Sequence, residues 1–304
     1  MRFGGRRTSG NVEGRSGGGG GFGFGGGGGM GGGGGMLLGL VFSRFGIGGV
    51  IVVFLIMMFL GGDPLGLSGG GGQQTVAPHQ AGKAGAGGAT DVCAAEPTRR
   101  FLCQVLASTE DQWGPMFQAS GSRYTPPTLV FYQGGTRTGC GAGQAQMGPF
   151  YCPADQRIFI DTSFFDELAR RYGAPGDFAQ AYVVAHEVGH HIQTITGMSD
   201  RIRRAQSGVR EAESNALQVR MELQADCLAG VWASKEQAAM EPGDLEEGMA
   251  AAAAIGDDTL QRAGQGRVVP ESFTHGTSAQ RQEALLRGYR GGGPAACESY
   301  TAGI

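Results

Sequence analysis

The sequence lacks the features of several protein classes. Its 60 glycines in 304 residues come in runs without a G-X-Y period, which excludes a collagen-like chain. Beyond residue 44 acidic residues outnumber basic ones, so the basic body of a nucleic-acid-binding protein is absent and no nucleic-acid partner is expected. There is no C-x-x-C pair, which argues against zinc held by cysteine thiolates. No internal repeat is visible.

Glycine is concentrated in two segments near the start of the chain. Residues 1–35 contain 20 glycines and residues 63–91 contain 9, and most of the early charge is arginine. These compositions predict a disordered Gly/Arg-rich cytoplasmic tail over 1–35 and a flexible linker over 63–91. Residues 92–304 are long enough to bury one core and are expected to form the folded domain.

An uncharged apolar stretch lies between the two glycine-rich segments. Residues 45–62 would form a helix of about 27 Å, close to the hydrocarbon thickness of a bilayer. We expect a transmembrane helix within 36–62 that contacts the lipid bilayer through residues 45–62. A buried core helix and a cleaved signal peptide are the alternatives. Upstream arginines and Asp63 just beyond predict a cytoplasmic N-terminus and a periplasmic or extracytoplasmic body in a single-pass membrane protein.

All six cysteines follow the apolar stretch, as expected for a domain in an oxidising compartment. Six cysteines allow fifteen pairings. The short loop between them favours a disulfide between Cys140 and Cys152. The pairs Cys93–Cys103 and Cys227–Cys297 are weaker predictions.

Hydrophobic periodicity predicts an α+β body that is mainly helical with a small sheet. β-Branched and aromatic residues indicate strands over 128–134 and 157–161. Three- to four-residue spacing of apolar residues indicates helices over 97–120, 162–173, 177–197, 209–235, 244–264 and 278–290.

The most specific motif is H-E-x-x-H at His186, Glu187 and His190. Residues four apart on a helix lie about 40° apart in projection, so both imidazoles can bind one ion. Neutral imidazole is a good zinc ligand, and a carboxylate beside the ion can take a proton from water. The motif therefore predicts a Zn²⁺ site with Glu187 as general base.

A catalytic zinc needs a third protein ligand, and Glu222 is the best candidate. Glu222 and Asp226 are four residues apart in an otherwise largely apolar helical segment. We expect Glu222 to bind the metal and Asp226 to accept a hydrogen bond from a ligand histidine. The alternative is that both belong to a solvated acidic face.

Several other side chains are weaker candidates. His275 could donate to the oxyanion of a tetrahedral intermediate, or bond locally within its loop. Arg281 could orient a substrate carbonyl or pair with a carboxylate. Tyr151 and Tyr289 are lesser oxyanion candidates. His191 lies about 100° round the helix from His190 and is expected to pack or face solvent.

These motifs resemble known zinc peptidases. HEVGHH followed by ELQAD is similar to the gluzincins, in which the two histidines and the first glutamate of E-x-x-x-D hold zinc. Thr274-His275 with Arg281 resembles the T-H-P segment and later arginine of membrane-bound CAAX-processing and HtpX-type peptidases, with Gly276 in place of proline. The whole chain resembles the bacterial putative neutral zinc metallopeptidases, which implies a zincin-like fold.

The resulting hypothesis is a membrane-anchored zinc endopeptidase that cleaves polypeptides outside the cytoplasmic membrane. An extended substrate could add as a strand to 157–161 or to 148–153. One alternative is a catalytically silent zinc-binding scaffold or chaperone-like envelope protein. Another is a receptor or adhesion module, which would leave Glu222 and Asp226 unexplained.

Overall fold

The computed structural model describes residues 1–15 and 88–304. Within these ranges the chain is mainly helical with a small sheet, as predicted. Its α-helices are α1 (Ala89–Ala94), α2 (Pro97–Ala119), α3 (Ser163–Arg170), α4 (Asp177–Ile195), α5 (Met198–Gln206), α6 (Glu211–Lys235), α7 (Asp244–Ala254), α8 (Asp257–Gln265) and α9 (Ser278–Gly291).

In the described part of the chain, four strands form the main sheet and two more form a separate hairpin. The strands are β1 (Val12–Gly14), β2 (Thr128–Phe131), β3 (Gly135–Thr138), β4 (Gly141–Gln144), β5 (Phe150–Cys152) and β6 (Arg157–Ile160). The sheet order is β1-β2-β6-β5, with β1, β2 and β6 parallel and β5 antiparallel to β6. Among the strands of the described residues, β5 therefore occupies an edge, whereas β6 has a neighbour on each side.

The first fifteen residues are part of the folded body. Strand β1 pairs with β2, with Val12 opposite Leu129. Phe3 is buried among core side chains, and the α-ammonium of Met1 donates to the Asp177 carboxylate at 2.6 Å. The prediction of a disordered tail is therefore wrong for residues 1–15. The prediction rests on the glycine- and arginine-rich composition of this segment, and composition cannot reveal pairing with a strand more than a hundred residues away.

The predicted membrane topology is also wrong. In the part of the chain that the structure describes, no helix is both long and apolar enough to cross a membrane. The predicted helix within 36–62 lies outside the described residues. Because β1 and β2 pair in one sheet, residues 1–15 and the body share one compartment. A cytoplasmic N-terminus with the body across a single membrane span contradicts this pairing.

One predicted helix is divided into two. Helix α7 ends at Ala254 and α8 begins at Asp257, where continuous helix was expected over 244–264. The break lies at Gly256, where an added Cβ would collide with Ser278 at the start of α9. Close approach of α9 therefore requires glycine here, and the extended backbone of Gly256 (φ −70°, ψ 142°) separates the two helices.

Three disulfides cross-link the body and match the favoured pairings. They join Cys93 to Cys103, Cys140 to Cys152, and Cys227 to Cys297. The last connects α6 to the C-terminal 3-10 helix Pro294–Tyr300 across 70 residues of sequence. It thus joins the helix that carries Glu222 to the end of the chain.

Candidate metal centre

Helices α4 and α6 bring together the three predicted metal ligands. The Nε2 atoms of His186 and His190 are 3.1 Å apart, and each lies 3.3 Å from Oε2 of Glu222. Three ligand atoms about 2.0–2.1 Å from a tetrahedral zinc would lie roughly 3.3–3.4 Å from one another. The donor set and its spacing therefore fit a zinc ion.

A glycine in the histidine motif allows this approach. The two helices run antiparallel, because His186 lies beside Asp226 and His190 beside Glu222. Gly189 faces Ala225 where the helices cross. A Cβ added at Gly189 would lie 2.9 Å from the backbone Cα and carbonyl oxygen of Ala225, well inside normal contact distance. The absence of a side chain at Gly189 therefore lets Glu222 reach the histidines of α4.

A buried charge network lies behind His186. Its Nδ1–H donates to Asp226 Oδ1 at 2.7 Å, and the Arg281 guanidinium donates to both Asp226 oxygens at 2.8 and 2.9 Å. Tyr182 Oη also donates to Asp226 at 2.5 Å. The network holds the His186 ring by its Nδ1 and directs Nε2 toward the other two ligands.

The charges in this network shift its pKa values strongly. Burial alone would raise the pKa of Asp226, but the Arg281 charge and the His186 bond hold it below its usual value. Burial alone would lower the pKa of His186, but the Asp226 carboxylate raises it to about 10. The pocket is thus strongly attractive to positive charge at the position of the three ligands.

Glu187 is buried beside the three ligands and lines the same cavity. Burial raises the pKa of Glu187 above its usual value, although the two neighbouring histidines oppose the shift. A carboxylate with this environment binds a proton more readily than one in water, as a general base requires. The cavity has a volume of about 190 Å³.

His275 also lines this cavity, and Asp257 fixes its loop. One Asp257 oxygen accepts backbone N–H bonds from Thr274, His275 and Gly276 at 2.7, 2.6 and 3.0 Å. The other accepts from His275 Nδ1 at 3.3 Å. Burial alone would lower the pKa of His275, but Asp257 raises it. When both ring nitrogens carry a proton, Nε2 can donate as well.

The conformation of Gly276 explains the departure from the T-H-P pattern. Its φ is +90°, whereas a proline ring fixes φ near −65°. Proline would also lack the N–H that Gly276 donates to Asp257. The conformation of this loop and its hydrogen bond to Asp257 therefore favour glycine over proline at position 276.

Tyr151 lines the cavity, but its hydroxyl is already bonded to His191. The His191 Nε2–H donates to the Thr125 carbonyl at 2.6 Å, so Nδ1 is free to accept from Tyr151 Oη at 3.0 Å. Burial lowers the pKa of His191 to about 4, which keeps the ring neutral. His191 therefore connects strand β5 to helix α4 and does not face the metal ligands.

The described residues that line the cavity include Arg281 but not Tyr289. Tyr289 lies on α9 and packs at the edge of the core, so the structure does not bring it to the site. Arg281 is nearly fully buried, and its guanidinium is bonded to Asp226. Of its two predicted roles, this contact favours carboxylate pairing.

With this geometry established, comparison with known proteins identifies the family. Residues 1–300 match the family described as putative neutral zinc metallopeptidase. The chain belongs to this family. It is 46% identical over 304 residues to the uncharacterized protein YpfJ of Escherichia coli K12, covering 99% of each chain. It is 41% identical over 224 residues to the uncharacterized protein Rv2575 of Mycobacterium tuberculosis, covering 68% of this chain and 73% of the relative. No solved structure matches.

In this family member, four residues that contact the ligands or His275 were not predicted from the sequence. Gln193 Oε1 accepts from His190 Nδ1 at 2.9 Å, and Gln218 Nε2 donates to Glu222 Oε1 at 2.9 Å. The other two are Tyr182 and Asp257. Gln193 and Gln218 lie three and four residues from a ligand on the same helix, and this spacing is the signal that could have identified them.

Proposed function

We propose that this protein is a zinc-dependent endopeptidase with a zincin-like fold, in which His186, His190 and Glu222 hold the metal. The supporting observation is the 3.1–3.3 Å spacing of their donor atoms, with Glu187 and His275 in the same cavity. When bound, zinc supplies a Lewis acid that polarises the scissile carbonyl and lowers the pKa of water.

Glu187 moves the proton in this proposal. Its carboxylate accepts a proton from the attacking water and then donates it to the nitrogen of the leaving amine. The raised pKa of Glu187, caused by its burial, favours the first of these two steps, acceptance of the proton. Tyr182, Asp226 and Arg281 hold His186 in place and take no part in proton transfer.

His275 stabilises the negative charge that develops on the carbonyl oxygen. Asp257 accepts from Nδ1, and in the doubly protonated ring Nε2–H is the donor available in the cavity. A donor of this kind contributes to catalysis because it is oriented before the charge develops. Tyr151 does not share this role, because its hydroxyl proton is given to His191.

Strand β5 binds the substrate backbone. It is an edge strand, and Phe150 and Tyr151 line the cavity. Of the two segments considered for strand addition, residues 157–161 contain β6, which has partners on both sides. An extended polypeptide would therefore add to β5, with its carbonyl directed toward the ligands.

The test is the Glu187→Gln variant, assayed on unfolded β-casein with zinc content measured by mass spectrometry. We expect one zinc per chain and a fall in kcat of about 10²- to 10⁴-fold. Glu283→Gln is the matched control, because Glu283 is exposed on α9 and pairs with Arg287. Full zinc content with unchanged cleavage in Glu187→Gln would refute the general-base assignment. Absence of cleavage by the zinc-loaded wild type would instead support a silent scaffold.

A further inference from the structure

Two buried glutamines link His190 to the C-terminal segment. Gln193 Oε1 lies 2.9 Å from His190 Nδ1, while Gln193 Nε2 donates to the Met221 carbonyl at 2.7 Å and to Gln224 Oε1 at 3.1 Å. Gln224 Nε2 in turn donates to Thr301 Oγ1 at 2.9 Å. Both glutamines are buried between α4 and α6, and the reaction proposed above does not use either side chain.

The Met221 carbonyl determines which atom donates and which accepts in the hydrogen bonds that Gln193 makes. The Met221 carbonyl can accept but cannot donate, so Gln193 must present Nε2 to it. Its Oε1 then faces His190 and accepts from Nδ1–H. A neutral imidazole that is protonated on Nδ1 keeps its lone pair on Nε2, and Nε2 is the atom that faces His186 and Glu222.

We propose that Gln193 and Gln224 are positioning residues that set the tautomer and ring orientation of His190 for metal binding. They form an amide relay from His190 through Gln193 and Gln224 to Thr301. The relay does for His190 what Asp226 does for His186, with neutral groups in place of a carboxylate. The inference rests on the zinc site proposed above, but it does not depend on peptide hydrolysis.

The relay also connects the metal site to the C-terminal segment. Thr301 follows the 3-10 helix Pro294–Tyr300, and Cys297 in that helix is bonded to Cys227 on α6. Arg220 donates to the carbonyl of Tyr300 at 2.7 Å. These contacts hold the segment against α6, so the last acceptor of the relay has a fixed position.

The test measures the zinc dissociation constant of Gln193→Met, which keeps the side-chain volume and removes the acceptor. We expect zinc affinity to fall about 10- to 100-fold, as for loss of other partners of ligand histidines. Gln224→Met should cause a smaller fall, because the Met221 carbonyl still orients Gln193. Gln193→Glu should retain most of the affinity, because it keeps an oxygen that can accept from His190.

The matched control is Gln104→Met on α2. Gln104 is also buried, and its Nε2 donates to the carbonyls of Phe3 and Arg6. This change should lower the unfolding temperature without changing zinc affinity. Equal loss of zinc affinity in Gln104→Met and Gln193→Met would show that general destabilisation is the cause and would overturn the proposal.

Imidazole NMR of the zinc-loaded, ¹⁵N-labelled protein reads the tautomer directly. The His190 Nδ1–H should exchange slowly with water in the wild type and at least about tenfold faster in Gln193→Met, because its buried acceptor is lost. Unchanged exchange and unchanged zinc affinity in Gln193→Met would refute the relay. If Gln193→Met does not fold, unchanged affinity and exchange in Gln224→Met would refute it. A wild type that binds no zinc would refute the metal centre itself.

Discussion

Substituting Gly189 by alanine tests whether the helix crossing sets the metal-ligand spacing. The substitution has two effects of opposite sign on the free energy of unfolding. Alanine is favoured over glycine inside a helix by about 1 kcal/mol. The new Cβ would lie 2.9 Å from the Ala225 backbone, whereas carbon atoms prefer about 3.5 Å or more. Relief of this contact would move α4 and α6 apart by roughly 0.6 Å, and overpacking of this kind costs about 1–3 kcal/mol.

The separation should weaken metal binding more than folding. It would increase the 3.3 Å spacing between Glu222 and the histidines by more than the tolerance of about 0.2 Å for a metal site. We expect zinc affinity at least about tenfold lower and metal-free protein destabilised by up to about 2 kcal/mol. Zinc titration and urea unfolding measure the two quantities.

A control substitution separates overpacking from its effect on the metal site. Gly248→Ala on α7 would place a Cβ against the Phe178 ring, away from the ligands, so it should destabilise the protein and leave zinc affinity unchanged. Wild-type zinc affinity in Gly189→Ala, together with stabilisation by about 1 kcal/mol as helix propensity alone predicts, would show that the helix crossing does not set the ligand spacing.

Three further changes give distinct outcomes. Phe3→Ala should cost about 3–5 kcal/mol in urea unfolding, because Phe3 is fully buried; a cost below about 1 kcal/mol would show that the N-terminal segment is not docked in solution. Replacing both Cys227 and Cys297 by serine opens a disulfide spanning 70 residues and should cost about 4 kcal/mol of unfolding free energy, whereas unchanged stability would indicate that the bond does not form. His275→Gln should lower kcat about 10²- to 10³-fold at unchanged zinc content; an effect on stability alone would assign His275 to its loop.

The parts of the site that sequence predicted depend on local spacing. A four-residue interval on a helix places His186 and His190 together, and a second such interval places Glu222 and Asp226 together. Neither interval shows that the two helices cross, which depends on the contact of Gly189 with Ala225. The sequence therefore predicts each pair of residues separately. Only the requirement of a catalytic zinc for a third protein ligand connects the two pairs.

The features that sequence did not predict are long-range or chemically inconspicuous. Strand β1 pairs with residues more than a hundred positions away, and its arginine- and glycine-rich surroundings resemble a disordered tail. Gln193 lies at helical spacing from His190, but its partner Gln224 and the contact of Gln224 with Thr301 are brought together only by the folded structure. The break at Gly256 likewise depends on the approach of α9.

Zinc titration of the metal-free protein, with the release of new amino termini from β-casein as the readout, shows whether the bound metal supports peptide hydrolysis. We expect hydrolysis to rise in proportion to added zinc, to stop rising at one zinc per chain, and to be lost on chelation. Hydrolysis that persists in the metal-free protein, or a protein that holds one zinc at His186, His190 and Glu222 and releases no new termini, would contradict this expectation.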